Sequence, residues 1–266
     1  MALRHPSDLW ALALVATVLA VQLWLFFRVA SPWWAGAGVV ALFPLQSVTV
    51  GCVHYQAHRA VFATAWLNRL YEIVLFFQTG LPPYLLTLHH NLGHHREYLD
   101  PVRDTLRWKH PNGEPMRFGR YVWINFRDLI PNTLAVGRNH PVPLARMIRF
   151  LPACVLPLCA LLAIDPLRTL LVLVVPMLAN TLNLIRIGYQ QHAGLDTSDP
   201  LTASRDVEGR LYNLLTLNSG YHTAHHLKPG LHWSELARLH EEAVATRRSP
   251  SPSPAAASPW AAARRQ

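Results

Sequence analysis

The stretch YEIVLFFQTGLPPYLLTL, residues 71–88, decides how the chain is folded, because it is apolar enough to pass for a membrane span. Gly80, Pro82 and Pro83 sit at its middle and would break a continuous helix there. Histidines flank it on both sides, with His54 and His58 before it and His90, His94 and His95 after it. If the stretch crossed a bilayer, these two groups would face opposite aqueous compartments and could not share one site. It is therefore expected to lie along a single face as an interfacial or re-entrant element.

Working outward, four other runs have the dimensions of membrane helices: Leu9–Phe27, Trp33–Val53, Met147–Ile164 and Leu167–Leu184. Each is long enough to cross roughly 30 Å of hydrocarbon at about 1.5 Å per residue. Composition agrees: 51% of the 266 residues are hydrophobic and 15% charged, where a soluble domain carries about a quarter charged. The first run is longer than a signal-peptide core of about 7–15 residues and no small-x-small cleavage site follows it, so a retained helix is expected. The expected fold is an all-α integral membrane protein over residues 1–248, with four transmembrane helices and a cytoplasmic cap of short helices carrying the histidines. Residues 96–138, rich in Pro, Gly, Asn and charge, are expected to form a loop with short amphipathic helices. From Ser249 to Gln266 the chain is dominated by Ser, Pro and Ala, and disorder is expected.

The formal net charge is +9, with twelve Lys/Arg between His54 and Arg149, nine from Arg186 onward, and only Arg28 and Arg168 in the two short turns between paired spans. By the positive-inside rule both termini and every histidine group are expected on the cytoplasmic side, of the inner membrane if the source is bacterial. No nucleic-acid-binding signature accompanies the charge, so a nucleic-acid partner is not expected. Cys52, Cys154 and Cys159 form no CxxC pair and read as buried thiols, which excludes a disulfide scaffold or zinc–thiolate site.

The histidines fall into four groups: His54-x3-His58, His90-x3-His94-His95, His192 alone, and His222-x2-His225-His226. Imidazoles four apart share a helix face and can chelate one ion, whereas adjacent residues diverge by about 100° and can address two. A lone HxxxH arises by chance, but the two HH-containing clusters are rarer. Nine nitrogens suit two ions, each four- or five-coordinate with open positions, and imidazole favours iron, zinc, copper or nickel. Few carboxylates lie near these groups, unlike the Glu/His pattern of ferritin-like bundles. His5, His110, His140, His232 and His240 read as structural hydrogen-bonders. His89 either replaces His90 as a ligand or hydrogen-bonds behind the ligands. One or two of Asn218, four residues before His222, Asp196, Asp199, Asp206 and Glu208 are expected to orient ligand N–H groups, though each taken singly reads as a solvated loop polar residue.

The boxes HYQAH at 54–58, HNLGHH at 90–95 and YHTAHHLKPG at 221–230 resemble the membrane fatty acid desaturase/hydroxylase superfamily, over about Val39 to His240. The resemblance implies a membrane domain of four spans with a cytoplasmic cap, and a non-haem di-iron centre of two Fe per chain. It implies as ligands His54, His58, His90, His94, His95, His192, His222, His225 and His226. It further implies a lipid acyl chain in a tunnel, O2 as oxidant, and electrons from a ferredoxin- or cytochrome-b5-like donor. No HPGG haem motif is present, so that donor is expected to be a separate protein. GYQQHAGL at 188–195 resembles the NYxxHYG motif of alkane monooxygenases, with Gly188 where that motif has Asn and Ala193 where it has Tyr. Acyl-CoA desaturases often carry an Asn ligand four residues before the lone His; Gly188 cannot serve, so a water or another residue would fill the position. The expected activity is an O2-dependent fatty acyl desaturase of lipid metabolism, including triple- or terminal-bond variants. The alternative is an alkane, acyl or terpenoid hydroxylase using the same site. A metal carrier is a third reading, less favoured because carriers place ligands within their spans rather than beside them.

Overall fold

The structure, a computed structural model, describes residues 3–100, 102–197 and 199–248. Among these residues helices are the regular elements, joined by irregular stretches, with isolated bridges in place of any strand. It divides into two compact units, residues 1–88 with 134–184 and residues 89–133 with 185–266.

The first unit holds the apolar helices. α1 spans Asp8–Arg28. α2 (Pro32–Ser47) and α3 (Thr49–His58) form one long apolar helix, interrupted at Val48. α6 covers Pro141–Ile164. The fourth long helix, Pro166–His192, comprises α7 (Pro166–Thr169), a π-helical segment Leu170–Val174, and α8 (Val175–His192). These four are long and apolar enough to cross a membrane. Two of them outrun the sequence reading, ending at His58 and His192 rather than Val53 and Leu184. At 27 residues each is about 40 Å long, exceeding roughly 30 Å of hydrocarbon, so polar residues continue the helix beyond the apolar part.

Residues 71–88 form no span. α4 runs Ala65–Thr79, only 15 residues, and stops where Gly80 adopts φ 79°, a left-handed conformation that costs glycine little. A side chain there would also meet Thr181 Oγ1 at 2.9 Å. Ending a helix among apolar neighbours strands its last carbonyls, and side chains of other helices answer them. Gln46 Nε2 and Asn180 Nδ2 each donate to the Gln78 carbonyl at 2.8 Å, and Thr181 Oγ1 donates to the Thr79 carbonyl at 2.9 Å. Gln78 Nε2 in turn donates to the Val15 carbonyl at 2.9 Å, so α1, α2, α4 and α8 are tied at one polar knot. Around it pack Leu25, Phe26, Val39, Phe76, Cys154 and Val172. Large apolar side chains also face outward, among them Trp10, Trp24, Trp33, Trp34, Val40, Leu156 and Ile164. A soluble protein would not expose so many; lipid is their natural solvent, and tryptophans near helix ends suit its interface.

The second unit begins at His89, within the π-helical segment Thr87–His95, and runs through the irregular stretch 96–117 into α5, Phe118–Asn139. The sequence reading expected short helices here, but α5 is one continuous element of 22 residues. Pro131 lies on its exposed side, where the carbonyl it leaves without a partner can be solvated. Trp108, Met116, Tyr121, Ile124 and Ile185 form the core of this unit. α9 (Arg210–Leu215), α10 (His222–Leu227) and α11 (Leu236–Arg248) complete it. The stretch 249–266, expected to be disordered, lies outside the described residues.

Arg168, one of two basic residues in the short turns, has a specific task. Its guanidinium donates to the carbonyls of Phe26 and Val29 at 2.6 Å and of Ala30 at 2.7 Å, capping the end of α1, while Asp165 accepts from Nε at 2.9 Å. Arg168→Ala strands three carbonyls at once. It should destabilise the detergent-solubilised protein by about 1.5–3 kcal/mol, read as a lower thermal midpoint than wild type.

Candidate metal centre

Seven histidines of the second unit converge, and the convergence starts from helix geometry. Residues Thr87–His95 wind as a π-helix, not an α-helix, so side chains five apart align where four would be expected. The chelating pair of HNLGHH is accordingly His90 with His95, Nε2 to Nε2 2.9 Å, instead of His90 with His94. His225 Nε2 lies 3.0 Å from His95 Nε2 and completes this group. A second group comprises His94, His192 and His226. His94 Nε2 is 3.3 Å from His192 Nε2, and His222 Nε2 lies 2.9 Å from His192 and 3.0 Å from His226. Both HH pairs thus split between the groups, His94 from His95 and His226 from His225, as the divergence of adjacent helical residues requires. All seven side chains are buried. His192 arrives at the last residue of α8, and the His222–His226 pair sits one turn apart on α10.

The donor set fits metal ions. His94 Nδ1 lies 2.8 Å from Asp104 Oδ1, and His192 Nδ1 lies 3.3 Å from the Ala203 carbonyl. Each Nδ1 faces an acceptor and so carries the proton, which leaves each Nε2 a bare lone pair. Two lone pairs 3.3 Å apart in a buried place repel each other unless a cation lies between them. Metal–nitrogen bonds of about 2.0–2.1 Å place neighbouring ligand nitrogens about 3.0 Å apart at right angles and about 3.4 Å apart in a tetrahedron. The observed separations of 2.9–3.3 Å match those polyhedral edges.

In the first unit, His54 and His58 lie one turn apart at the end of α3, their ring centroids 5.2 Å apart and their ligand nitrogens within 4.8 Å. His89 is buried but stands outside both groups; burial first, and the charge of His94 second, push its imidazole down to about 3. Its backbone carbonyl accepts from Thr105 Oγ1, a contact that Gly93 permits, since a Cβ there would meet Thr105 Cγ2 at 2.5 Å. Asn218 Nδ2 donates to the Trp233 carbonyl at 3.0 Å.

The carboxylate that holds a candidate ligand, His94, is Asp104, which the sequence reading missed. It also accepts from the Leu99 and Leu106 amides, so three donors fix it in place. Of the acids following His192, Asp206 accepts from the Thr223 amide at 2.7 Å at the start of α10, Asp196 pairs with Lys109, Asp199 closes its own turn, and Glu208 lies 3.5 Å from His240 Nε2. Tyr98 was missed as well. Its ring packs edge-on to His94 and lies against His192 and His226, and its hydroxyl donates to the Ala203 carbonyl that His192 also uses. Only the fold could show this, since residues 96–117 follow no periodic pattern. Gly188 makes room for Tyr121, whose hydroxyl would lie 3.1 Å from an added Cβ.

The chain belongs to the fatty acid desaturase family: the family model matches residues 31–251. No curated protein and no solved structure matches the chain. The family and the four long apolar helices together make it a membrane protein.

Asp104→Asn keeps the shape but removes the charge behind His94, and should weaken metal binding by about 10- to 100-fold, measured as metal retained against a chelator. Gly188→Asn should displace Tyr121 and cost about 1–3 kcal/mol of stability, read by thermal unfolding.

Proposed function

We propose that the protein is an O2-dependent fatty acyl desaturase whose nine histidines, His54, His58, His90, His94, His95, His192, His222, His225 and His226, hold two iron ions. The observation that carries the reading is the convergence of buried imidazole nitrogens in two groups, with the facing Nε2 atoms of His94 and His192 left bare, within a chain of the fatty acid desaturase family. All-nitrogen donor sets with open positions suit iron, and two irons would supply the redox capacity to reduce O2. His54 and His58 are assigned to the same centre from their i, i+4 spacing. The chain's own residues set the rest. Asp104 and the Ala203 carbonyl fix which ring nitrogen faces inward. Burial of the ligands keeps bulk water away from the reacting positions.

The substrate is a lipid acyl chain, taken up from the membrane, with electrons from a separate ferredoxin- or cytochrome-b5-like donor. The site and both termini lie on the cytoplasmic side, following the distribution of Lys and Arg. Hydroxylation of an alkyl, acyl or terpenoid chain is the second reading, favoured by the likeness of residues 188–195 to alkane monooxygenases.

Lipid mass spectrometry of a host expressing the protein tests this. The expected product is lighter than its precursor by two hydrogen atoms, and disappears in a His225→Ala control. A product heavier by one oxygen atom establishes the hydroxylase instead. Exchangeable zinc or copper in place of two tightly held irons overturns both.

A further inference from the structure

Desaturation and hydroxylation share a requirement that the histidines cannot meet. In desaturation, O2, two electrons from the donor, two protons and the substrate –CH2–CH2– yield –CH=CH– and two waters. In hydroxylation the same O2, electrons and protons convert C–H to C–OH with one water. Either way two protons must come through the protein for each turnover.

Among the described residues, three carboxylates are buried: Asp8, Glu72 and Asp104. Asp104 is committed to His94 and two backbone amides. Asp8, in the first turn of α1, faces Cys52 and Tyr71. Glu72 differs because it opens onto space. It lines a small, partly open cavity of about 20 Å³ in the first unit, room for about one water, together with Val53, Gln56 and Ala57 of α3, the Leu81–Tyr84 turn, Leu86 and Thr87. Two walls of that cavity are the roots of histidine boxes. Val53, Gln56 and Ala57 interleave with His54 and His58 on α3, and Thr87 opens the π-helix that carries His90, His94 and His95.

The carboxyl is held but not locked. Gln56 Nε2 donates to Oε1 at 2.9 Å and Arg69 donates to Oε2 at 2.5 Å, one donor per oxygen, so each oxygen keeps a lone pair for a cavity water or a proton. Gln56 is itself fixed, since its Oε1 accepts from the Val61 amide. The charged and titratable groups around Glu72 are Arg69 on its own helix, Cys154 on α6, and Tyr84 across the cavity with the Arg146 guanidinium 5.9 Å from that ring's centroid. Burial raises the Glu72 carboxyl to about 7 against the opposing pull of Arg69 and Gln56, so it exchanges protons near neutrality.

We propose that Glu72 is the acid that supplies protons to the oxygen chemistry, recharged by water in the Val53–Thr87 cavity; the role rests on the oxidase reading above. An acid protonated below about 7 loses its proton as pH rises, so wild-type turnover should fall through that range.

The test uses full-length protein in membranes, comparing wild type, Glu72→Gln and Glu72→Asp. Glu72→Gln should keep its iron content but lower turnover by about 100-fold, as loss of a positioned acid does, and lose the pH-dependent limb. Glu72→Asp should restore part of the rate. Infrared titration of the metal-free protein supplies a readout apart from activity. A carboxylic C=O band should titrate within about one unit of pH 7 in wild type and be missing in Glu72→Gln. An active wild type that Glu72→Gln matches in rate and pH profile overturns the proton role alone, as does the absence of that band. Should Glu72→Gln fail to accumulate, the wild-type band and the Glu72→Asp rate decide. Iron-loaded wild type that oxidises no lipid overturns the function itself, and this role with it.

Discussion

Repulsion between bare imidazole lone pairs is the constraint on which the site depends. Seven Nε2 atoms of one unit point inward from the π-helix, α8 and α10, at spacings neutral imidazoles do not choose for themselves. Holding them there requires anchors on the outer nitrogens and rigid helices behind them. Asp104, the Ala203 carbonyl and Tyr98 provide such anchors for His94 and His192, and a cation held there would offset the repulsion. Metal binding and folding of this unit would then be coupled.

The membrane part obeys a different rule: its polar groups are few, and the carbonyls freed where a helix ends are answered by side chains. α4 stops short of a span because Gly80 and the prolines after it end the helix, and the carbonyls so exposed recruit Gln46, Asn180 and Thr181. Arg168 does the same for α1. These contacts explain why glutamines and an asparagine survive in segments that composition would make purely apolar. In such surroundings an unanswered carbonyl costs more than it would in water.

The spans and the histidine boxes were legible because both rest on short-range periodicity: runs of apolar residues, and histidines three or four apart. The division of each HH pair between two groups was legible for the same reason. What periodicity missed was set by tertiary contact. Along the π-helical Thr87–His95 segment, Thr105 packs into the gap at Gly93 and donates to the His89 carbonyl. Asp104 and Tyr98 lie in a stretch with no repeat, and Asp104 meets its histidine only through the course of that loop. Residues 96–138 read as a loop with short helices from their Pro, Gly, Asn and charge content, yet Pro131 lies on the exposed side of α5, where a proline interrupts little.

The wide turn of Thr87–His95 carries a consequence for how the gene can change. A π register accommodates one more residue than the α register over the same rise, and its histidines are aimed by that surplus. Deleting a single residue between His90 and His94 would let the segment relax into ordinary winding and swing every later ring by about 100°. Point changes there are survivable where neighbours yield, but insertions and deletions re-aim the whole box. This nine-residue segment should thus keep its length across descendants more strictly than its lettering.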